Sequence, residues 1–200
     1  YFKSYDFHNL YKELLNFCTV ELSAFYFDIR KDVLYCDTKK SDKRKSCIIV
    51  LNIILESLIK WFAPILSFTT EEIFSLIKKD KESIHLEKFI EIPKNYSNEQ
   101  LEKKWLELKK IRDVCNISIE VKRANKEIGS SLEANLTIGL NEKIIKNIKN
   151  VDFAELCITS GAKIEKINSE DILVTTVKAQ GDKCPVCWKI NKDKCERHPI

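Results

Sequence analysis

Apolar side chains recur along the first third of the chain at intervals of three and four, the spacing that lines one face of an α-helix. Phe7, Leu10, Tyr11, Leu14, Phe17 and Cys18 trace such a face and predict an amphipathic first helix. The mixed stretch from Asp28 to Asp37 reads as an extended connection. A second helix is expected from about Asp42 through Ile49, Ile53, Leu55 and Ile59. Pro64 must kink or end it, because proline lacks the amide donor and crowds the preceding turn. Thr69 with Glu72 fits a capping box in front of a third helix, whose apolar face is Ile73, Phe74, Leu76 and Ile77. His85 to Tyr96, with Pro93, reads as a surface loop. Ser97 with Gln100 fits a cap for a long fourth helix carrying Leu101, Trp105, Leu108, Ile111 and Cys115 on one face. That helix is expected to end near Gly129.

Beyond Gly129 the period changes. Leu132, Ala134, Leu136 and Ile138 alternate with polar residues, as a half-buried strand does. Ile144, Ile145 and Ile148 predict a short helix, while Leu156 to Thr159 and Ile172 to Val177 read as further strands, with Gly161 at a turn. The expected fold class is therefore mainly α: an antiparallel helical bundle over residues 1–128, a small α/β subdomain over 129–180, and a short cysteine-rich terminal module over 181–200.

Composition narrows the class. With 44% hydrophobic residues the chain can bury a core, and no apolar run approaches the roughly 18 residues a membrane span needs. Lys3, Asp6 and His8 interrupt the start, which excludes a signal-peptide reading and leaves a cytosolic, cytoplasmic protein as the expectation. The chain opens on Tyr1 and has no methionine, which reads as a piece of a longer polypeptide. The net charge of +4 is mild, but its arrangement is not uniform. Lys39, Lys40, Lys43, Arg44 and Lys45 cluster, as do Lys109, Lys110 and Arg112, and again Lys143, Lys146 and Lys149. Each cluster reads either as a solvated helix face or as part of a phosphate-tracking surface.

Five of the eight cysteines, Cys18, Cys36, Cys47, Cys115 and Cys157, lie scattered among apolar residues and read as buried thiols. The other three crowd into the last seventeen residues, in a Cys184-x-x-Cys187 pair followed, after seven residues, by Cys195-x-x-His198. A two-residue gap lets one tight turn aim both donors at a single metal, and its amides stabilise the thiolate charge. Three sulfurs and one imidazole with no open position make a tetrahedral structural Zn2+ site, one ion per chain. Such a site contributes roughly 10–16 kcal/mol of apparent binding energy, most of it folding energy in so short a segment. Between the ligands, Val186, Trp188 and Ile190 are the only large apolar side chains, so the module should be disordered without metal. A redox pair would leave Cys195 and His198 unexplained, and a catalytic zinc would need an open position. Trp188 stands among Lys183, Lys189, Lys192, Lys194 and Arg197. It reads as an aromatic that stacks a splayed RNA base between cations, as a cover over the metal, or as both.

These residues resemble a family. The run from Asn16 to Asp37, the segment Trp61-Phe-Ala-Pro-Ile-Leu-Ser-Phe-Thr-Thr-Glu-Glu-Ile73, the turn Ile128-Gly-Ser-Ser-Leu-Glu-Ala134 and the terminal cysteine module together are similar to bacterial-type isoleucyl-tRNA synthetases of class I. The resemblance covers essentially the whole chain. It implies a carboxy-terminal piece, monomeric, that holds the anticodon arm of isoleucine tRNA while other domains act. Catalytic residues are expected to be absent here: the resemblance puts ATP, Mg2+ and the editing site in an amino-terminal part, and a chain without methionine cannot carry the family's Lys-Met-Ser-Lys-Ser loop. It also puts the zinc module, with Trp188 in it, at the anticodon region, while Lys183, Lys189 and Arg197 are candidate RNA contacts from their place around Trp188 in the sequence. Two departures stand out: Val186 occupies a position where many relatives carry Arg, and His198 replaces what is commonly a fourth Cys. Two other classes fit the same modules, a free-standing zinc-containing RNA-binding protein and a helical scaffold with no RNA partner. Steep weakening of RNA binding with salt separates the last from the others.

Overall fold

A computed structural model describes residues 1–79 and 82–198, which fall into two compact units, Tyr1–Tyr96 and Ser97–Ile200. In the first unit, α1 (Phe7–Asn16) starts where the Asp6 carboxylate accepts the Asn9 amide at 3.2 Å. The same carboxylate takes the Asn9 side-chain amide, and that bond holds its pKa below the ordinary range. The chain stays helical beyond α1. Phe17–Phe27 adopts the wider π-helical pattern, and α2 (Asp28–Cys36) follows directly.

The expected extended connection at Asp28 to Asp37 is thus a helix. Its charged residues hid the pair Ile29 and Val33, four apart and both buried. Its last turn is also held from a distance, because Arg44 Nε donates to the Leu34 carbonyl at 3.0 Å. Next, α3 (Asp42–Phe62) is capped by the Ser41 hydroxyl, which accepts the Arg44 amide at 3.3 Å. The helix stops two residues before Pro64, as the ring requires.

Ser67–Ile77 forms α4, with Leu66 at its N-cap and no side-chain cap. Thr69 is therefore inside the helix rather than capping it. Thr70 instead turns its hydroxyl back to the Leu66 carbonyl at 3.0 Å. The Glu71 carboxylate accepts from the Ser83 hydroxyl at 2.8 Å and from the Ile84 amide at 3.0 Å, fastening the following loop to α4. Ile84 thereby joins Ile59, Ala63 and Phe74 in one buried cluster.

The second unit begins with α5 (Glu99–Ala124), capped by Asn98 rather than Ser97: the Asn98 side chain accepts the Leu101 amide at 3.0 Å. Leu108, Ile111, Cys115 and Ile119 form its buried stripe. This is the long helix expected in the bundle, and the structure packs it on a sheet. Helical periodicity marks the buried face of a helix without marking its partner. The break in compactness at 96/97 accordingly lies upstream of the change in residue pattern at 128/129.

The sheet centres on β1 (Ala134–Leu140), flanked by β2 (Gly161–Lys166) in parallel and β3 (Leu173–Lys178) in antiparallel. Ala134, Leu136, Ile138 and Leu140 are all buried, which is the period of two read from the sequence. A parallel neighbour needs a crossover, supplied by α6 (Glu142–Asn147) and α7 (Phe153–Leu156). Leu156 to Thr159, expected as a strand, instead ends α7 and turns back. Asp152 caps that helix by accepting the Glu155 amide at 3.0 Å, and Ile158 adopts φ 57°. Short apolar runs do not separate strand from helix by period alone. Gly161, expected at a turn, opens β2, where a Cβ would come within 2.8 Å of Asn135 Oδ1.

Side chains of α5 also join it to the rest of this unit, Lys104 among them, donating to the Lys149 carbonyl at 3.3 Å. The Ser118 and Thr176 hydroxyls lie 2.7 Å apart, and buried Arg112 donates from Nε to the Leu156 carbonyl at 3.0 Å. Cys47, Cys115 and Cys157 are buried thiols, and Cys18 and Cys36 are half-buried. A hydrogen bond with Cys115, together with burial, raises the Cys157 pKa. Among the described residues no helix is long and apolar enough to cross a membrane.

Candidate metal centre and nucleic-acid interface

The last residues have almost no apolar material, so their shape rests on a short hairpin and on the cysteine turns. Strands β4 (Asp182–Lys183) and β5 (Ile190–Asn191) pair in antiparallel, Asp182 opposite Asn191 and Lys183 opposite Ile190. Gly181 leads into β4 at φ 128°, and a Cβ there would lie 2.0 Å from the Asn191 carbonyl oxygen, so only glycine fits. Between the strands, the Cys184 amide donates to the Lys189 carbonyl at 2.9 Å and the Trp188 amide to the Cys184 carbonyl at 3.0 Å. These bonds close the first turn. The second turn closes when the His198 amide donates to the Cys195 carbonyl at 3.1 Å.

The two turns bring Cys184, Cys187, Cys195 and His198 together, with one donor atom from each within 4.8 Å of all the others. Zinc bonds of about 2.3 Å to sulfur and about 2.0–2.1 Å to imidazole nitrogen, at tetrahedral angles, require S···S edges of about 3.8 Å and S···N edges of about 3.6 Å. Cys187 Sγ lies 3.8 Å from Cys195 Sγ, and His198 Nδ1 lies 3.7 Å from both Cys184 Sγ and Cys195 Sγ. The donor set fits the ion. Cys184 and Cys187 are buried, while Cys195 and His198 are partly exposed.

Backbone amides prepare the first pair for metal. The Cys187 and Val186 amides donate to Cys184 Sγ and lower its pKa, favouring the thiolate. Burial moves Cys187 the other way, opposed by the Lys189 amide. Amide donors at a thiolate supply the orienting layer around the ligands that fixes a metal site.

Trp188 lies immediately beyond the second cysteine, 59% exposed and at φ 63°. A left-handed backbone costs an L-residue about 1–2 kcal/mol, and glycine avoids that cost. A half-exposed ring recovers only part of it by packing. Lys183 Nζ sits 5.3 Å from the Trp188 ring centre, within cation–π range. The structure therefore brings Lys183 and Trp188 together. Lys189 contributes its backbone to the turn beneath them, and Arg197 sits half-buried between Cys195 and His198.

Sequence reading missed Ser160. Its hydroxyl donates to the Leu132 carbonyl and accepts the Ile190 amide at 2.6 Å, so it fastens β5 to the strand-bearing part of the unit. The partners are 28 and 30 residues away, and no local motif announces such a bond.

Residues 1–138 match the family model described as the anticodon-binding domain of tRNA ligase. The chain belongs to that anticodon-binding family. Its relatives include an isoleucine–tRNA ligase from Pelagibacter ubique, 71% identical over 198 residues, covering 99% of this chain and 22% of the relative. The isoleucine–tRNA ligase of Agrobacterium fabrum is 39% identical over 205 residues, covering 96% of this chain and 21% of its own length. That of Rhodopseudomonas palustris is 41% identical over 204 residues, covering 94% and 20%. The chain spans about a fifth of the length of these relatives. Within the anticodon-binding family, the matched residues take in the first unit, α5 and most of β1 and stop short of the metal cluster.

Proposed function

We propose that this chain is the tRNA-binding, carboxy-terminal part of an isoleucine–tRNA ligase. It holds the anticodon arm of isoleucine tRNA while the remaining domains carry out ATP- and Mg2+-dependent aminoacylation. The functional division follows the sequence: a helical anticodon-binding part at 1–128, an α/β piece at 129–180 and a zinc module at 181–200. Cys184, Cys187, Cys195 and His198 hold one structural Zn2+. Four protein ligands leave no position for water or substrate, so the ion organises the module and carries no chemistry.

Trp188 is the RNA-facing side chain, stacking an unpaired base while Lys183, Lys189 and Arg197 engage phosphates. The observation that carries this reading is the placement of Trp188: an exposed aromatic kept at a left-handed position, over a metal cluster, with a lysine at its ring. Catalysis then gains from positioning, since a small misplacement of the acceptor end is costly in rate. Matches to isoleucine–tRNA ligases over 94–99% of the chain favour this reading over a free-standing RNA-binding protein. The enzyme works as a cytoplasmic monomer.

The test is Trp188→Ala in the full-length enzyme. Binding of isoleucine tRNA should weaken about 5- to 100-fold, the range of a lost aromatic–base stack. Zinc content should stay at one ion per chain. Unchanged tRNA affinity would remove the stacking role.

A further inference from the structure

Positive charge gathers in several short stretches of the chain. Residues 181–198 carry five Lys or Arg against three Asp or Glu, a net +2. Residues 35–45 carry Lys39, Lys40, Lys43, Arg44 and Lys45 against Asp37 and Asp42, a net +3. Residues 103–112 carry Lys103, Lys104, Lys109, Lys110 and Arg112 against Glu107, a net +4. The stretch at 35–45 is the hairpin between α2 and α3, which the zinc-module reading leaves without a role.

That hairpin is a built turn. The Asp37 amide donates to the Val33 carbonyl at 3.3 Å and the Ser41 amide to the Thr38 carbonyl at 3.0 Å. The Ser41 hydroxyl donates to Asp37 Oδ2 at 2.9 Å, and Arg44 reaches back to the Leu34 carbonyl. Asp37 is thereby used inside the turn, and Asp42 takes Lys45 at 3.2 Å. Lys39 and Lys40 stand exposed at the tip, and Lys43 is exposed in the first turn of α3. Beside them in sequence, in the last turn of α2, Tyr35 is 86% exposed. Asp28 and Asp32 lie farther back on the same face of α2, with Asp28 paired to Lys31 at 2.7 Å. A ring so exposed adds nothing to the core. A rigid turn that presents cations next to an uncovered aromatic is the combination that holds unpaired RNA.

We propose that the α2–α3 hairpin is a second RNA contact, in which Lys39, Lys40 and Lys43 engage backbone phosphates and Tyr35 stacks on an unpaired base. This rests on the tRNA-binding reading above. It adds a site in the first unit, far along the chain from Trp188 and independent of zinc.

The experiment measures isoleucine tRNA binding to the full-length enzyme over a salt series. Replacing all three lysines by glutamine (Lys39→Gln, Lys40→Gln, Lys43→Gln) should flatten the slope of log affinity against log salt by about 2–3, each phosphate contact contributing about 0.7–0.9. Tyr35→Ala should weaken binding about 5- to 100-fold at fixed salt with the slope unchanged, and Tyr35→Phe should restore it. These positions are exposed, so circular dichroism should match wild type. If slope and affinity are unchanged in both variants while Trp188→Ala still weakens binding, the hairpin contact is overturned and the zinc-module reading stands. A wild-type enzyme that binds this tRNA without salt dependence would overturn both.

Discussion

The sheet of the second unit and the metal cluster beside it reach a defined shape by opposite means. Around β1, order comes from apolar burial: Leu136, Ile138 and Leu140 are almost wholly removed from water, and α5 adds Leu108, Ile111 and Cys115. In residues 181–198, Val186 and Trp188 are exposed and Ile190 is half-exposed. What holds that segment is two turns, a short hairpin tied to the rest of the unit through Ser160, and four donors within 4.8 Å of one another. One region is stabilised continuously by solvent; on the proposed function, the other is conditional on an ion. A region free of the demand for a core can present its aromatic and its cations outward, which suits a surface that grips RNA.

The difference can be broken from the metal side first. Removing zinc with a chelator, or changing Cys187→Ser, should cost most of the roughly 10–16 kcal/mol that a site of this kind contributes. Hydrogen exchange would show the Cys184, Trp188 and His198 amides losing protection while β1 amides keep theirs. Equal loss in both regions would mean that they fold as one cooperative body. The reciprocal change is Ile138→Ala, expected to destabilise the sheet by about 2–5 kcal/mol with metal content retained. Denaturant titration paired with zinc analysis reads both quantities.

Two smaller effects sharpen the account of the module itself. Gly181→Ala forces a Cβ against the Asn191 carbonyl at a left-handed backbone, and should weaken zinc retention by about 1–3 kcal/mol. Trp188→Gly should act in the opposite direction, relieving about 1 kcal/mol of backbone strain and raising zinc retention while tRNA binding falls. A competition titration with a chromophoric chelator measures both. Weaker zinc retention in Trp188→Gly would show that the ring serves the metal site and not the RNA.

How far the sequence was legible follows from the range of the interactions involved. The clustering of the four metal donors could be read because both donor pairs are local, each closed by one turn. Alternation along β1 and the 3–4 spacing along α5 are local too, and both elements form, although α5 ends at Ala124, short of Gly129, and Leu101 on the expected stripe is exposed. The segment at Asp28 to Asp37 was obscured because its helix is secured partly by Arg44, beyond the window in which periodicity is read. Leu156 to Thr159 failed for a different reason: an apolar run of four carries no period, and the decisive feature was the Asp152 cap in front of it. The packing of α5 on a sheet and the role of Ser160 depend on partners tens of residues away. No motif encodes them.

The central claim is that a zinc-ordered module reads tRNA. It is tested most directly by measuring the affinity of the full-length enzyme for isoleucine tRNA and for a non-cognate tRNA, with zinc bound and after its removal. The account predicts a preference for isoleucine tRNA that falls sharply when zinc is removed and returns when it is restored. A preference that is unchanged without zinc would contradict it, and would place discrimination outside residues 181–198.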